Sequence, residues 1–272
     1  MNQLTYLTEF SRIASLRDEQ IDLARCALLI ASVEYPELDL EHQLGLLDSL
    51  AAAAARSIDF EAEPLVVVNQ LSEYLFDEVG FGGNQEDYYD PRNSFLNDVL
   101  SRRRGIPISL SLVCMEVGKR LGIPVIGIGM PGHFLVRHQD QDDLFLDPFH
   151  KGILLSEEEC AARLKGLVER GFVWDSNLLD PVGNREILIR VLRNLKAIYR
   201  QSEDHSRLLK VEELLVVLRP DEPLERRDRG LVHFALNHWS QAMEDLQFFL
   251  DAAMPGEDKD AITRLVVAIP RL

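Results

Sequence analysis

Two Gly-Ile-Pro motifs, at Gly105–Pro107 and Gly122–Pro124, constrain the fold most, because an apolar, helix-compatible stretch separates them. Proline at a first helical position and glycine just past the last one predict a helix over 107–121. Downstream, His133 begins a short β-type run and Asp147 ends another. A helix, a strand bearing histidine and a strand ending in aspartate follow each other in the order typical of a Cys-His-Asp catalytic core.

The position expected for the nucleophile of such a core holds a proline. A catalytic thiolate lies at the N-terminus of the helix, where the positive end of the helix dipole lowers its pKa. Here that position is Pro107, which has no nucleophilic atom. The sequence therefore predicts a base, His133, hydrogen-bonded to an orienting carboxylate, Asp147, with no thiol at the helix tip.

Two other residues of the same helix are alternative nucleophiles. Ser109 lies in the first turn, where its hydroxyl could face His133, although serine is also an ordinary residue of helix starts. Cys114 lies two turns further on, between apolar neighbours, which favours a buried and inert thiol. Cys26 and Cys160 lie outside the core segment and are weaker candidates.

Arg92 and Asn93 form a candidate binding pair near the predicted cleft. Asp90 is a strong N-cap residue and proline follows it, so the pattern predicts a helix over Pro91–Arg104. Polar side chains at this helix start would line the cleft and reach towards Asp147. The alternative is that both are ordinary, solvent-facing residues of a first turn.

We predict neither a metal site nor a cofactor site. His133, His138, His150 and Asp147 are close in sequence, but no pair has the i, i+4 spacing of a helical zinc site. The three cysteines are far apart and form no CxxC motif. No glycine-rich loop of the kind that binds phosphate precedes a helix.

The formal charge of −16, from 45 acidic and 29 basic residues, limits the possible partners. A field of this sign repels phosphate backbones and anionic lipid, so we expect no binding to nucleic acid or to membrane. Charged residues interrupt the apolar stretches well short of the roughly 18 residues of a membrane span. The N-terminus also lacks the basic start and apolar core of a signal peptide, which predicts a cytoplasmic protein.

The first predicted region, residues 1–183, contains amphipathic helices and then a core at about 88–155. Within this core, β-type runs at 125–130, 133–137 and 144–146 predict a small antiparallel sheet backed by helices. The predicted fold class is thus α+β and predominantly α.

The second predicted region, residues 184–272, is a repeat of helical hairpins. Lys196 and Gly230 are 34 residues apart, which is the tetratricopeptide period. The second copy fits that pattern at Gly230, Ala242, Leu246 and Pro255. The first copy departs from it at Lys196, where the pattern needs a small residue. Two hairpins are too few for a free-standing solenoid, so we expect them to pack on the preceding region.

The motifs of the core resemble those of the transglutaminase-like superfamily, which has a papain-like core. That superfamily reads Gly-x-Cys at a helix start, His-Ala-Trp on a strand and Asp-Pro on the next strand. Here Gly105–Pro107, His133–Leu135 and Asp147–Pro148 stand in the same order. The resemblance implies base and orienting roles for His133 and Asp147, whereas the role of the cysteine transfers to no residue.

A longer resemblance is to an uncharacterised bacterial family, usually labelled Sir-B-one-like, which joins such a core to a tetratricopeptide tail. It is carried by Tyr89–Leu110, Pro131–Val136 and Leu146–Phe149, and it extends over roughly residues 30–255. A similar segment occurs in some animal F-box-only proteins. The resemblance implies no established activity.

Three functions follow from these patterns. The one we favour is a pseudoenzyme whose transglutaminase-like core is non-catalytic and whose helical tail binds another protein, because loss of the attacking group removes most of a rate enhancement. The second is a hydrolase or acyl transferase of the cysteine-protease or transglutaminase type, using Ser109 or Cys114 with His133 and Asp147. The third is binding of a small molecule in the vestigial cleft. The sequence leaves the oligomeric state open.

Overall fold

The computed structural model describes residues 3–165, 174–252, 254 and 256–269. Its first layer consists of four helices, α1 (Gln3–Ala14), α2 (Leu23–Ala31), α3 (Leu40–Ala54) and α4 (Pro64–Ser72), the last continued by a π-helical turn over Glu73–Glu78. Asp22 and Asp39 cap α2 and α3, because each side chain accepts a backbone N–H of the first helical turn. These helices pack on one another, as predicted.

The segment before the core is more broken than the sequence predicts. A single 3₁₀ turn at Pro91–Asn93 is followed by an extended Phe95, and only then by α5 (Leu96–Arg102). The prediction of one helix over Pro91–Arg104 is therefore wrong. Its end differs as well, because Arg103 adopts a left-handed conformation (φ 56°) and closes the helix.

Two short strands then lead into the central helix. The strand β1 (Gly82–Gly83) pairs in parallel with β2 (Arg104–Gly105), and this pairing withdraws Arg104 from the predicted helix. The central helix α6 (Pro107–Leu121) begins and ends where the two Gly-Ile-Pro motifs predict, with Gly122 in the left-handed region (φ 73°) as its C-cap.

One antiparallel sheet packs against α6, in the order β3 (Val125–Ile128), β4 (Leu135–His138), β5 (Leu144–Asp147) and β6 (Ile153–Ser156). The α+β, predominantly α class is confirmed. The sequence missed β6, because the exposed side chains of Ile153 and Leu154 do not alternate in polarity.

The C-terminal part is helical: α7 (Glu157–Lys165), α8 (Asn184–Gln201), α9 (His205–Leu218), α10 (Pro223–Ala235), α11 (Trp239–Ala252) and α12 (Glu257–Ala268). The apolar faces of α8 and α9 belong to the same hydrophobic core as α1–α6, whereas α11 and α12 form a smaller core of their own. Gly230 lies against Leu246, where a Cβ atom would be only 2.9 Å from that side chain. Pro255 lies outside the described residues. No helix within the described ranges is long and apolar enough to cross a membrane.

Lys196 departs from the repeat pattern because it serves a buried ionic cluster. Its Nζ lies 2.7 Å from Asp228 and 3.1 Å from both Glu212 and Glu225. Burial raises the pKa of Glu212 to about 7, against the opposing effect of Lys196. A long cation here links α8, α9 and α10, which a small residue could not do.

Candidate functional site at the tip of helix α6

Asp147 is the centre of the candidate site and is completely buried at the end of β5. Its Oδ1 accepts the backbone N–H groups of Phe149 (3.1 Å) and His150 (3.3 Å). Its Oδ2 lies 2.6 Å from Arg163 Nη1, 2.8 Å from His150 Nδ1 and 2.9 Å from His133 Nε2. The carboxylate of Asp147 thus accepts two backbone N–H groups and contacts three basic side chains.

The predicted partner of Asp147, His133, lies in the turn before β4 and not in the strand itself. Gly132 has φ 71°, and the His133 N–H donates to the Met130 carbonyl oxygen (3.1 Å), which closes this turn. The His133 Nε2–Asp147 Oδ2 contact is short, but Nε2 has no hydrogen bond of good geometry. The other ring nitrogen, Nδ1, has no hydrogen-bond partner in the described part of the chain.

The electrostatic balance keeps Asp147 ionised. Burial alone would raise its pKa, but contacts with His133 and then His150 outweigh burial, so the pKa is held below its usual value. Two aromatic contacts hold the His133 ring in place, one with Phe149 edge-to-face (6.3 Å between centroids) and one with His150 (5.8 Å). The arrangement can orient an imidazole.

Ser109 does not fit the role of nucleophile that the sequence offered as an alternative. The residue is buried, and its Oγ lies 2.6 Å from the carbonyl oxygen of Asn93 and 3.1 Å from that of Ile106, to one of which it donates. The same Oγ accepts the Ile106 N–H at 3.1 Å. These contacts stabilise the first turn of α6 and engage the hydroxyl with the backbone.

Cys114 is also turned away from solvent. Its side chain is completely buried in the main core, and burial raises the pKa of its thiol to about 12. A thiol with such a pKa is almost entirely protonated at neutral pH and is a poor nucleophile. The tip of α6 itself presents Pro107 beside His133.

Arg92 and Asn93 do not reach Asp147, so the prediction that they line the cleft is wrong. Arg92 donates to both carboxylate oxygens of Asp90, at 3.0 and 2.9 Å from Nε, and is largely exposed. Asn93 is completely buried, and its Nδ2 donates to the Asp87 carbonyl oxygen (2.7 Å). The role of Asn93 is structural, because its amide and carbonyl groups attach the preceding loop to the start of α6.

A cavity of about 250 Å³ lies against His133 and the tip of α6. Its walls include Pro107, Ile108, Tyr88 and Phe134 on one side and Arg190, Arg193 and Asn194 of α8 on the other. The sequence analysis missed the residues of α8, and it missed Arg163 and His150 next to Asp147. The i, i+3, i+4 spacing of Arg190, Arg193 and Asn194 puts them on one helix face, and this was the signal available in the sequence.

His133, Asp147 and His150 also form a group that could hold a metal ion, since their ligand atoms all lie within 4.8 Å of one another. The prediction of no metal rested on spacing along the chain, which cannot detect a group assembled from a turn, a strand end and a 3₁₀ turn. Arg163 is not part of this group, but its guanidinium already pairs with the Asp147 carboxylate and lies 3.3 Å from His150 Nδ1. His138 is separate from this group, since its Nδ1 accepts the N–H of Asp140.

Comparisons with known proteins agree with this architecture. A family model described as the transglutaminase-like superfamily matches residues 41–193, and one described as the tetratricopeptide repeat matches residues 195–266. A UPF0162 protein of Xylella fastidiosa is 39% identical over 250 residues, covering 89% of this chain and 87% of that protein. A UPF0162 protein of Vibrio cholerae is 31% identical over 242 residues, covering 87% and 89%. F-box only protein 21 of Homo sapiens is 29% identical over 187 residues, covering 64% of this chain and 29% of that protein.

Proposed function

The chain belongs to the transglutaminase-like superfamily and to its UPF0162 proteins, and on that premise we propose that it is a binding protein and not a catalyst. In this proposal, the core keeps a cleft beside His133 without its nucleophile, and the tetratricopeptide region binds another protein.

One observation carries the non-catalytic half of the proposal: the wall of the cavity next to His133 is Pro107, while the thiol of Cys114 is completely buried. Covalent acyl transfer needs a nucleophile within hydrogen-bond reach of the base. Ser109 has its hydroxyl bonded to backbone carbonyl oxygens. In the proposal, His133 and Asp147 keep the positions of a base and its orienting carboxylate, but no described residue of the cleft supplies a free nucleophile beside them.

Thiol labelling tests this half directly. In the native protein at neutral pH we expect iodoacetamide to label the cysteines very slowly, because Cys26, Cys114 and Cys160 are buried and burial raises the pKa of each thiol. The same protein unfolded in guanidinium should label readily at all three and serves as the positive control. Rapid native labelling of Cys114 that is lost in His133→Ala would contradict the proposal.

Support for the protein-binding half comes from the repeat region. Tetratricopeptide repeats generally mediate protein–protein contacts, and this region has a groove of about 590 Å³ lined by α10 and α12, with further residues from the C-terminal end of α8 and the start of α9. Leu231 and Leu265 lie along it among charged residues such as Arg227 and Asp258. Partly exposed apolar side chains with a charged rim are typical of protein-binding surfaces.

A pair of matched variants tests the groove. We expect Leu231→Glu to abolish capture of proteins that the full chain retains from a lysate, because it puts a charge among the apolar residues of the groove. Leu224→Glu is the control, since Leu224 is on the same helix, is more exposed (50% against 37%) and does not line the groove. Equal capture by both variants, measured by quantitative mass spectrometry, would mean that the groove is not the binding surface.

A further inference from the structure

The cavity beside His133 differs in charge from the rest of the chain. The whole sequence has 45 acidic and 29 basic residues. The walls of this cavity contain three basic residues, His133, Arg190 and Arg193, and no described acidic residue lines it. The charged side chains that line this concave surface are thus all basic, which favours an anionic ligand, although each of them also contacts a carboxylate outside the cavity.

Arg190 is held in the cavity wall by the backbone of the core. Its Nη2 donates to the Gly129 carbonyl oxygen (2.6 Å) and its Nη1 points to that of Met130 (3.4 Å). Its guanidinium also lies over the Phe134 ring, 5.8 Å from the centroid. Its Nε lies 3.7 Å from Glu186 Oε1, so the positive charge of Arg190 is partly compensated and much of its donor capacity is already in use.

Among the cations of the cavity wall, Arg193 has the most free hydrogen-bond donors. Only its Nη2 is engaged, at 3.2 Å from Glu225 Oε1, and nearly half of its side chain is exposed. Its remaining N–H groups have no hydrogen-bond partner in the described part of the chain. The half-buried amide of Asn194 lies in the same wall and can also donate.

We propose that this cavity binds a carboxylate group of a peptide. One guanidinium fork with free donors matches the two oxygens of a carboxylate, and the nearby positive charge of Arg190 strengthens such a pair. Apolar walls from Ile108 and Tyr88 suit the aliphatic stem of an acidic side chain or the last residue of a chain. The inference rests on the proposed function, in which the cleft binds without reacting.

Calorimetric titration of the full chain with three acetylated peptides tests the inference. The peptides share a sequence of alanine and serine and differ at one position and at the end: glutamate with an amidated C-terminus, glutamine with a free C-terminus, and glutamine with an amidated C-terminus. We expect at least one peptide that carries a carboxylate to bind about tenfold more tightly than the uncharged one. Comparison of the first two distinguishes a side-chain source from a terminal one.

Variants on one helix locate the binding. Arg193→Gln should weaken the carboxylate peptide about tenfold. Arg200→Gln distinguishes this cavity from the groove of the repeat region, since Arg200 is also on α8 and also paired with an acidic residue, but lines that groove and not this cavity. Unchanged binding is expected, whereas weaker binding would place the carboxylate in the groove and overturn the inference. Circular dichroism of both variants checks that α8 remains folded.

Three results would overturn the inference: equal binding of all three peptides, no binding at about 1 mM, or no effect of Arg193→Gln. Tighter binding of inorganic phosphate than of the glutamate peptide would overturn the choice of carboxylate. Chromatography of the peptides after incubation shows whether they have been chemically altered. This result distinguishes a failure of the proposed non-catalytic function from a failure of the carboxylate-binding inference. A chemically altered peptide would contradict the non-catalytic function, whereas absent binding with intact peptides would contradict this inference alone.

Discussion

Replacing Pro107 with cysteine is expected to produce a thiol that iodoacetamide alkylates at least about 100-fold faster at neutral pH than any cysteine of the wild-type chain. The new thiol would lie at the first position of the 15-residue helix α6, next to His133. A helix N-terminus and a neighbouring imidazole both stabilise a thiolate, so its pKa should fall below that of a free cysteine. The pH dependence of the labelling rate measures this pKa directly.

Two further variants make this result specific. Pro107→Ser retains the polarity change without a thiol and should label as slowly as the wild type. In the background of Pro107→Cys, His133→Ala should slow the labelling and raise the apparent pKa, because it removes the imidazole and leaves the helix terminus. Labelling of Pro107→Cys at the wild-type rate would show that the helix tip is closed to reagents, and the description of the cleft would then be wrong.

Replacing Asp147 with asparagine is expected to lower the free energy of unfolding by about 3 kcal/mol at neutral pH. Asparagine keeps the volume and can still accept the backbone N–H groups of Phe149 and His150. It leaves the guanidinium of Arg163 and the two imidazoles without their anion in a site where Asp147 is completely buried. Urea unfolding of both proteins measures the difference.

Acidity should remove this difference. Because the folded pKa of Asp147 is lowered, its ionised form stabilises the protein at pH values above the unfolded pKa of about 3.9, and this stability is lost as the pH falls through the folded pKa. The gap between wild type and Asp147→Asn should thus shrink below about pH 4. Asp142→Asn is the control, because Asp142 pairs with Arg137 while 83% exposed and should change stability little at any pH. If the difference in unfolding free energy between wild type and Asp147→Asn grew as the pH fell, Asp147 could not be the ionised, stabilising group described above.

The parts of the fold that the sequence predicts correctly are those with local signals. Proline at the start and glycine at the end define α6 within a residue. The helix predicted over Pro91–Arg104 was wrong because pairing of Arg104 with Gly82 and burial of the Asn93 side chain are tertiary effects. Local propensity cannot detect them.

The candidate site likewise has residues that the sequence predicts and residues that only the tertiary structure brings together. His133 and Asp147 come from motifs of fixed order, and the structure brings them to 2.9 Å, although their roles stay predictions. Arg163 and Arg193 reach the same region from α7 and α8. The spacing along α8 puts Arg193 on one face with Arg190 and Asn194, but it does not relate that face to His133. The burial of Ser109 and its bonds to carbonyl oxygens likewise depend on the loop that ends at Asn93.

The helix α8 has a consequence for how this gene can change over evolutionary time. The two matched family models meet at residues 193 and 195, in the middle of that helix, and its apolar side chains Leu188, Leu192 and Leu195 fill the same core as the N-terminal layer. Recombination at that junction would give each product half a helix and an open core. A product that kept only one of the two matched regions would therefore expose apolar side chains that the other region now covers.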